Sequence, residues 1–185
     1  VAGRDVAGIT NDRGVHEFLS RLAKASATPG AISLIDVASG RAVADSTDFP
    51  PREFDFSDRD YVRAARAASY ETHISGVIPR FPSGLLGFTV SSVTPDQRLL
   101  AVTRPELKEL LELIATLREH KNDVINIVRE DGVILARQPW PENGTTKLPP
   151  NSFTLRLLRK EVTGTSVQFS AIDGRQRLVA MRRAG

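Results

Sequence analysis

Four polar side chains in the first half of this 185-residue chain have the chemistry to hold a small molecule that carries a carboxylate. An arginine can bind a carboxylate through two parallel hydrogen bonds, and nearby hydroxyl groups can fix its orientation. The candidates are Tyr61, Arg80, Thr89 and Ser91. The alternative is that Arg80 is a solvated loop residue and that Thr89 and Ser91 face outwards. These residues form a binding site only if a folded pocket brings them together.

No combination of residues predicts catalysis, a metal site or a cofactor. The three histidines, His16, His73 and His120, show none of the spacings of metal or nucleophile sites. The absence of cysteine excludes thiol chemistry, disulfides and cysteine-bound zinc. The sequence also contains neither a Gly-Lys-Ser/Thr phosphate loop nor a Gly-x-Ser-x-Gly elbow. We therefore expect a fragment that is not itself an enzyme.

The charge distribution argues against a nucleic-acid partner. The 25 basic and 22 acidic residues leave a net charge of +3 and are interspersed along most of the chain. The exception is a short basic segment near the end, with Arg175, Arg177, Arg182 and Arg183. The chain begins at Val1 and its only methionine is Met181, so we expect a piece of a longer protein from which any membrane anchor has been removed.

The helix that carries Tyr61 is predicted from its first residues. Ser57 and Asp60 have the spacing of a capping box, and carboxylates are favourable in the first turn of a helix. An alanine-rich segment then continues the helix to about Ser69. Asp55, Asp58 and Asp60 could hold a divalent cation, but capping explains two of the three.

Residues 1–30 are expected to contain a long amphipathic helix. Residues 1–10 lack periodicity and are interpreted as coil or a frayed helix end. From Asn11 or Asp12, apolar residues recur at helical spacing for about four turns. They are Val15, Phe18, Leu19 and Leu22. This stripe needs a partner, which is either the domain that follows or the same helix of a second subunit, so a homodimer is one expectation.

Strands and helices then follow one another in two similar halves. The first half predicts strands at 31–37, 41–46, 72–78, 86–93 and 98–102, and a capping box at Thr103 and Glu106 predicts a connecting helix over 104–121. In the second half, the hairpin at 124–137 repeats the earlier one. It is followed by a helix capped by Asn151 or Ser152 and by a hairpin of strands 166–172 and 176–181. A fifth strand is missing there, and we infer that the fragment stops short of it.

This order of elements, together with Ser57-Asp58-Arg59-Asp60-Tyr61, resembles the double-Cache sensor domains of bacterial transmembrane receptors, most closely those of diguanylate cyclases and histidine kinases. The resemblance implies an α+β fold with a long N-terminal helix and two PAS-like subdomains with antiparallel sheets. These are a membrane-distal one at 31–103 and a membrane-proximal, incomplete one at 122–185, joined by the helix at 104–121. It also implies a small-molecule ligand in the distal pocket, a periplasmic location and removed transmembrane helices on both sides.

The resemblance has departures that bear on the ligand. Val62 stands where the family usually has an aromatic residue, and Arg80-Phe81-Pro82 lacks the spaced tryptophan with which amino-acid-sensing members hold their ligands. Amino acids are therefore not favoured, and an organic acid is one expectation. In the second half, Arg137 and Trp140 could line another pocket, although a tryptophan that simply packs there is the plainer interpretation. The alternative functions are a ligand-independent dimerisation or interaction module and, less favoured, a small hydrolase or transferase.

Overall fold

The computed structural model describes residues 5–25, 30–67, 72–79, 86–105, 107–141, 144 and 146–183. The chain divides into two compact units, Val1–Leu107 and Lys108–Gly185, which we call unit 1 and unit 2. Helices accompany antiparallel strands in each, so the α+β class predicted from the sequence is confirmed. Among the described residues, no helix has both the length and the apolar character that a membrane crossing requires.

Unit 1 is built on a five-stranded antiparallel sheet. In chain order its strands are β1 (Gly30–Asp36), β2 (Ala42–Asp45), β3 (His73–Ile74), β6 (Val90–Val93) and β7 (Leu99–Pro105). Their spatial order is β2-β1-β7-β6-β3. Two further short strands, β4 (Ile78–Pro79) and β5 (Leu86–Gly87), pair separately, so the predicted strand 86–93 is divided. Because β1 is covered on both faces, its four central residues, 32–35, are all buried, three of them apolar and one of them Ser33.

One face of this sheet is covered by two N-terminal helices, α1 (Val6–Thr10) and α2 (Arg13–Ala25). The prediction of coil before Asn11 is wrong for Val6–Thr10, because Ile9 packs into the core and is only 1% exposed. Val15 and Leu19 of α2 are buried in the same core, whereas Phe18 and Leu22 are about half exposed. The predicted stripe is therefore divided between the core and the surface.

The opposite face is covered by α3 (Asp60–Ala67) and the loop before it. Tyr61 and Val62 pack there against Ile35, Leu100 and Val102. The capping box predicted at Ser57 is wrong, because the helix begins three residues later. The Ser57 hydroxyl instead donates to the carbonyl of Ser39 at 3.2 Å, which attaches this loop to the turn between β1 and β2.

The predicted start of the connecting helix is also wrong. Thr103 and Pro105 belong to β7, whose pairing with β1 continues to its last residue, so neither can begin a helix. The helix that follows, α4 (Leu107–Thr116), is shorter than the predicted 104–121. Glu106 lies outside the described residues.

Unit 2 contains two hairpins and one short helix. The first hairpin, β8 (Ile125–Val128) with β9 (Ile134–Gln138), confirms the hairpin predicted at 124–137. Ser152 caps α5 (Phe153–Leu158) by accepting a hydrogen bond from the Leu155 amide at 3.5 Å. The second hairpin pairs β10 (Thr163–Phe169), which begins three residues before its predicted start, with β11 (Gln176–Arg182). Within the described part of unit 2, each hairpin is a separate two-stranded sheet.

Candidate ligand-binding site

One row of side chains crosses the sheet of unit 1 on the face covered by α3. The strand register aligns one residue from each of the five strands: Asp45, Ser33, Val102, Ser91 and His73. Val102 packs with Tyr61 of α3, which identifies the face on which the row lies. Ser33 and Ser91 are each 1% exposed. This face therefore buries hydroxyl groups at positions where a sheet usually buries apolar side chains.

Arg104 projects from the same face, two residues beyond Val102 on β7. Its Nη2 donates to Ser33 Oγ and to Asp45 Oδ2, both at 2.8 Å, and the Ser33 hydroxyl donates to the same carboxylate oxygen. Nη1 and Nε of Arg104 make no hydrogen bond to the described residues. The guanidinium is thus held at one end and has donors left for a ligand.

The Asp45 carboxylate is held by several donors at once. Besides Ser33 and Arg104, it accepts hydrogen bonds from the amide and hydroxyl of Thr47, at 2.8 and 2.6 Å. Burial on its own raises the pKa of Asp45, but the bonds from Ser33 and Thr47 and the charge of Arg104 outweigh burial and lower that pKa. Asp45 is therefore ionised at neutral pH and fixes the orientation of Arg104.

We expect the contribution of Asp45 to stability to disappear in acid. Because its pKa in the folded state lies below the unfolded value of about 3.9, the contribution is complete above that pH and is lost as the pH falls through the folded-state pKa. Urea unfolding of the native protein and Asp45→Asn should differ most at neutral pH and converge below about pH 4. A difference that stays constant over this range would contradict the assignment.

Thr89 brings a buried hydroxyl that lacks a hydrogen-bond partner among the described residues. Its side chain is 3% exposed, and its Oγ1 makes no hydrogen bond to the described residues. Two hydrogen bonds with Ser75 fix the backbone of Thr89. The Ser75 amide donates to the Thr89 carbonyl at 2.9 Å, and the Thr89 amide donates to Ser75 Oγ at 2.8 Å. The register of β6 and β7, continued by one residue, places Thr89 opposite Arg104.

Tyr61 closes this surface from the α3 side. It is 4% exposed, and burial raises its pKa to about 12 although the charges of Arg59 and Arg104 act in the opposite direction. The phenol is therefore neutral at physiological pH and keeps its proton. The neighbouring Asp60 accepts a hydrogen bond from the Gly76 amide at 3.1 Å, which ties the start of α3 to the loop after β3.

Three of the four predicted site residues share this region of unit 1. Tyr61 covers the face, and Thr89 and Ser91 lie on it, so the alternative in which both hydroxyl residues face outwards is wrong. Arg80 lies outside the described residues. The Ser91 hydroxyl donates to the carbonyl of His73 at 3.4 Å, a long hydrogen bond.

Sequence reasoning missed the arginine that the structure places here. The spacing of Thr103 and Glu106 predicts a helix start, which assigns Arg104 to a helix and not to a strand. The alternation Leu100, Val102, Arg104 was the available signal, because it places the arginine on the same face as two buried apolar residues. Ser33, Ser75 and Asp45 had no comparable signal.

The arrangement offers hydrogen-bonding groups to a bound molecule. Arg104 has N–H donors without a partner among the described residues, and Thr89 has a hydroxyl that can donate or accept; the neutral Tyr61 phenol covers the same face. The described residues include no group of three or more histidine or carboxylate side chains that could hold a metal ion. A small molecule with a carboxylate fits these donors.

No protein-family model and no curated protein matches the sequence significantly. Solved structures do match. The extracellular domain of rpHK1S-Z16, a protein assigned to the histidine kinases, is 24% identical with a TM-score of 0.72, over 97% of this chain and 77% of that one. The ligand-binding domain of the Pseudomonas fluorescens chemoreceptor CtaA, solved with L-isoleucine, is 16% identical with a TM-score of 0.58, over 94% of this chain and 71% of that one.

A third match is the periplasmic sensory domain of the Campylobacter jejuni chemoreceptor Tlp1. It is 12% identical with a TM-score of 0.59, over 96% of this chain and 79% of that one. The resemblance to extracytoplasmic sensor domains that the sequence predicted is confirmed at the level of the fold, for histidine kinases and chemoreceptors. The chain has the fold of these extracellular and periplasmic sensor domains.

Proposed function

We propose that this chain is the periplasmic sensing domain of a transmembrane signal-transduction protein and that it binds a small organic carboxylate in unit 1. Ligand binding would shift the relative populations of conformations of the domain. The fold, shared with sensor domains of histidine kinases and chemoreceptors, supports the class of function. The ligand class is supported by the residues on the α3-facing side of the sheet.

The observation that carries the proposal is the Thr89 hydroxyl. A buried hydroxyl without a partner costs about 1–3 kcal/mol, and a ligand that accepted a hydrogen bond from Thr89 would remove this cost. The register places it opposite Arg104, whose Nη1 and Nε have no partner among the described residues. A carboxylate between the two would accept from both.

Thr89→Val is the most direct test of this site. Valine has nearly the shape of threonine and removes the hydroxyl, so we expect the ligand-free domain to be about 1 kcal/mol more stable and the ligand to stabilise it less. The measurement is a thermal-shift screen against small carboxylates, amino acids, polyamines and sugars. A ligand that binds only the folded state adds about 2.7 kcal/mol at a hundred times its dissociation constant.

Thr103→Val is the matched control for Thr89→Val. The Thr103 hydroxyl donates to the Val90 carbonyl at 3.2 Å, and Thr103 lies on the other face of the sheet because it follows Val102. We expect this variant to lose stability and to keep its ligand response. A ligand response that survives in Thr89→Val, or one that falls equally in both variants, would contradict the site.

A ligand-independent dimerisation module is the second candidate function. The exposed pair Phe18 and Leu22 on α2 favours it, because two large apolar side chains one turn apart suit a helix-to-helix contact. The same screen separates the two functions. If no compound in the panel shifts the unfolding temperature and sedimentation shows a constitutive dimer, dimerisation is favoured over sensing.

A further inference from the structure

Unit 2 contains a buried arginine with few partners. Arg137 on β9 is 4% exposed, and its Nη1 donates to Asn126 Oδ1 at 2.6 Å. This is its only hydrogen bond to the described residues, and its buried Nε has no partner there. The carboxylate of Asp173 lies 4.0 Å from Nη2, which is beyond hydrogen-bond distance. The nearest hydrogen-bond acceptor of this buried positive charge is therefore a neutral amide oxygen.

A second arginine donates a hydrogen bond to the same carboxylate. Arg177 on β11 donates from Nη2 to Asp173 Oδ2 at 2.5 Å and from Nη1 to the Asn122 carbonyl at 2.7 Å. Its Nε is also buried without a partner in the described part of the chain. The cluster of Arg137, Arg177 and Asp173 thus carries two positive charges and one negative charge.

This imbalance is costly unless something compensates for it. A buried guanidinium needs both charge pairing and hydrogen bonds, and within the described part of the chain Arg137 has one hydrogen bond, to a neutral group. Burial lowers the pKa of Arg137; the charge of Asp173 opposes this effect and the charge of Arg177 adds to it. An oxyanion would supply the second negative charge and accept hydrogen bonds from both planar guanidinium groups.

The cluster is accessible from one side. The Asp173 side chain is 30% exposed and that of Arg177 is 18% exposed, so an anion can approach along these two residues. Asp173 lies in the turn of the hairpin and already occupies the position of a carboxylate ligand on Arg177. An incoming anion therefore competes with Asp173 for the two arginines.

We propose that unit 2 binds a small oxyanion, a carboxylate or inorganic phosphate, at Arg137 and Arg177, in competition with Asp173. The site is separate from the one proposed in unit 1 and does not depend on it. The preference of this site for an oxyanion follows from the two arginines alone.

Trp140 provides a local reporter for the experiment. It is the only tryptophan in the chain, and it packs in the apolar cluster of unit 2 that includes Ile172, the residue before Asp173. The native protein is titrated with sodium acetate and with sodium phosphate, with sodium chloride keeping the ionic strength constant. We expect a saturable change in Trp140 fluorescence with at least one of the two anions, and none with chloride alone.

Four variants locate the binding. Arg137→Gln and Arg177→Gln should each weaken it at least tenfold, and Asp173→Asn should strengthen it severalfold by removing the competing carboxylate. Arg175→Gln is the matched control, because it removes the same charge from the exposed turn of the same hairpin and should leave binding unchanged. Urea unfolding followed through Trp140 checks that each variant is folded. Arg137→Lys, which keeps the charge without the planar fork, replaces Arg137→Gln if that variant does not fold.

Several results would overturn the proposal. They are a native protein that does not respond to either anion, an equal loss in Arg175→Gln, and weaker binding in a folded Asp173→Asn. The last result would show that Asp173 holds the cluster together as a structural ion pair. Because Thr89→Val in unit 1 should not change the Trp140 signal, the two proposals can fail separately.

Discussion

Replacing Arg104 with methionine is expected to destabilise unit 1 by about 3 kcal/mol and to abolish its response to small carboxylates. Arg104 is the charge partner of Asp45 at 2.8 Å, and both side chains are more than four-fifths buried. Removing the arginine leaves a buried carboxylate that only neutral donors support, and it removes the donors offered to the ligand. Urea unfolding measures the first effect, and the thermal-shift screen measures the second.

A double variant separates these two effects. Arg104→Met combined with Asp45→Asn removes both charges, so most of the lost stability should return while the ligand response remains absent. Arg98→Met, at an exposed turn position next to β7, controls for the loss of one positive charge and should change neither quantity. A full ligand response in Arg104→Met would exclude this arginine from the site.

Gly40→Ala should destabilise unit 1 by about 2–4 kcal/mol, because it strains the turn that holds the loop before α3. Gly40 has a φ of +69°, and an added Cβ would overlap Ser57 Oγ and lie 3.0 Å from Ser57 Cα. The Gly40 carbonyl also accepts a hydrogen bond from the Phe56 amide at 2.9 Å. Displacement of this loop would move Tyr61, so the ligand response should fall with the stability.

Gly174→Ala is the matched control for that prediction. Gly174 has nearly the same φ, +67°, but an added Cβ there meets nothing within 4 Å. Its loss of stability should be about 1 kcal/mol, the cost of the left-handed conformation alone. Equal losses in the two variants, measured by urea unfolding, would show that the contact with Ser57 is unimportant.

Elements whose signals are local were predictable from the sequence. The sequence predicts strand β1, the hairpin of β8 and β9 and a helix capped by Asn151 or Ser152, and the structure contains all three, with Ser152 as the cap. Each of these signals depends on residues within a few positions of one another, so the chain specifies them before any tertiary contact forms.

The two predicted capping boxes are wrong for the same physical reason. A serine or threonine caps a helix only if its backbone lies at the start of that helix and is not held in another element. Ser57 is bound to the Ser39 carbonyl in the β1–β2 turn, and Thr103 is in a strand between β1 and β6. Both competing contacts come from distant parts of the chain, so local spacing did not reveal them.

The candidate site was predictable in part. Tyr61, Thr89 and Ser91 were expected to form a site by analogy with a PAS-like sheet under a helix, and the structure places them on one side of that sheet. Arg104 was missed because its partners, Ser33 and Asp45, lie 71 and 59 residues away in the sequence.

The sequence by itself determined the class of fold, most of the strands and helices, and three of the polar side chains proposed here to bind a ligand. It could do so because periodicity and turn residues act over a few neighbouring positions. Only the tertiary structure decided which hydroxyls are buried, which arginine faces them and which carboxylate holds that arginine. Those relations come from antiparallel strand register, which aligns Asp45, Ser33, Val102 and Ser91 in one row although the chain separates them widely.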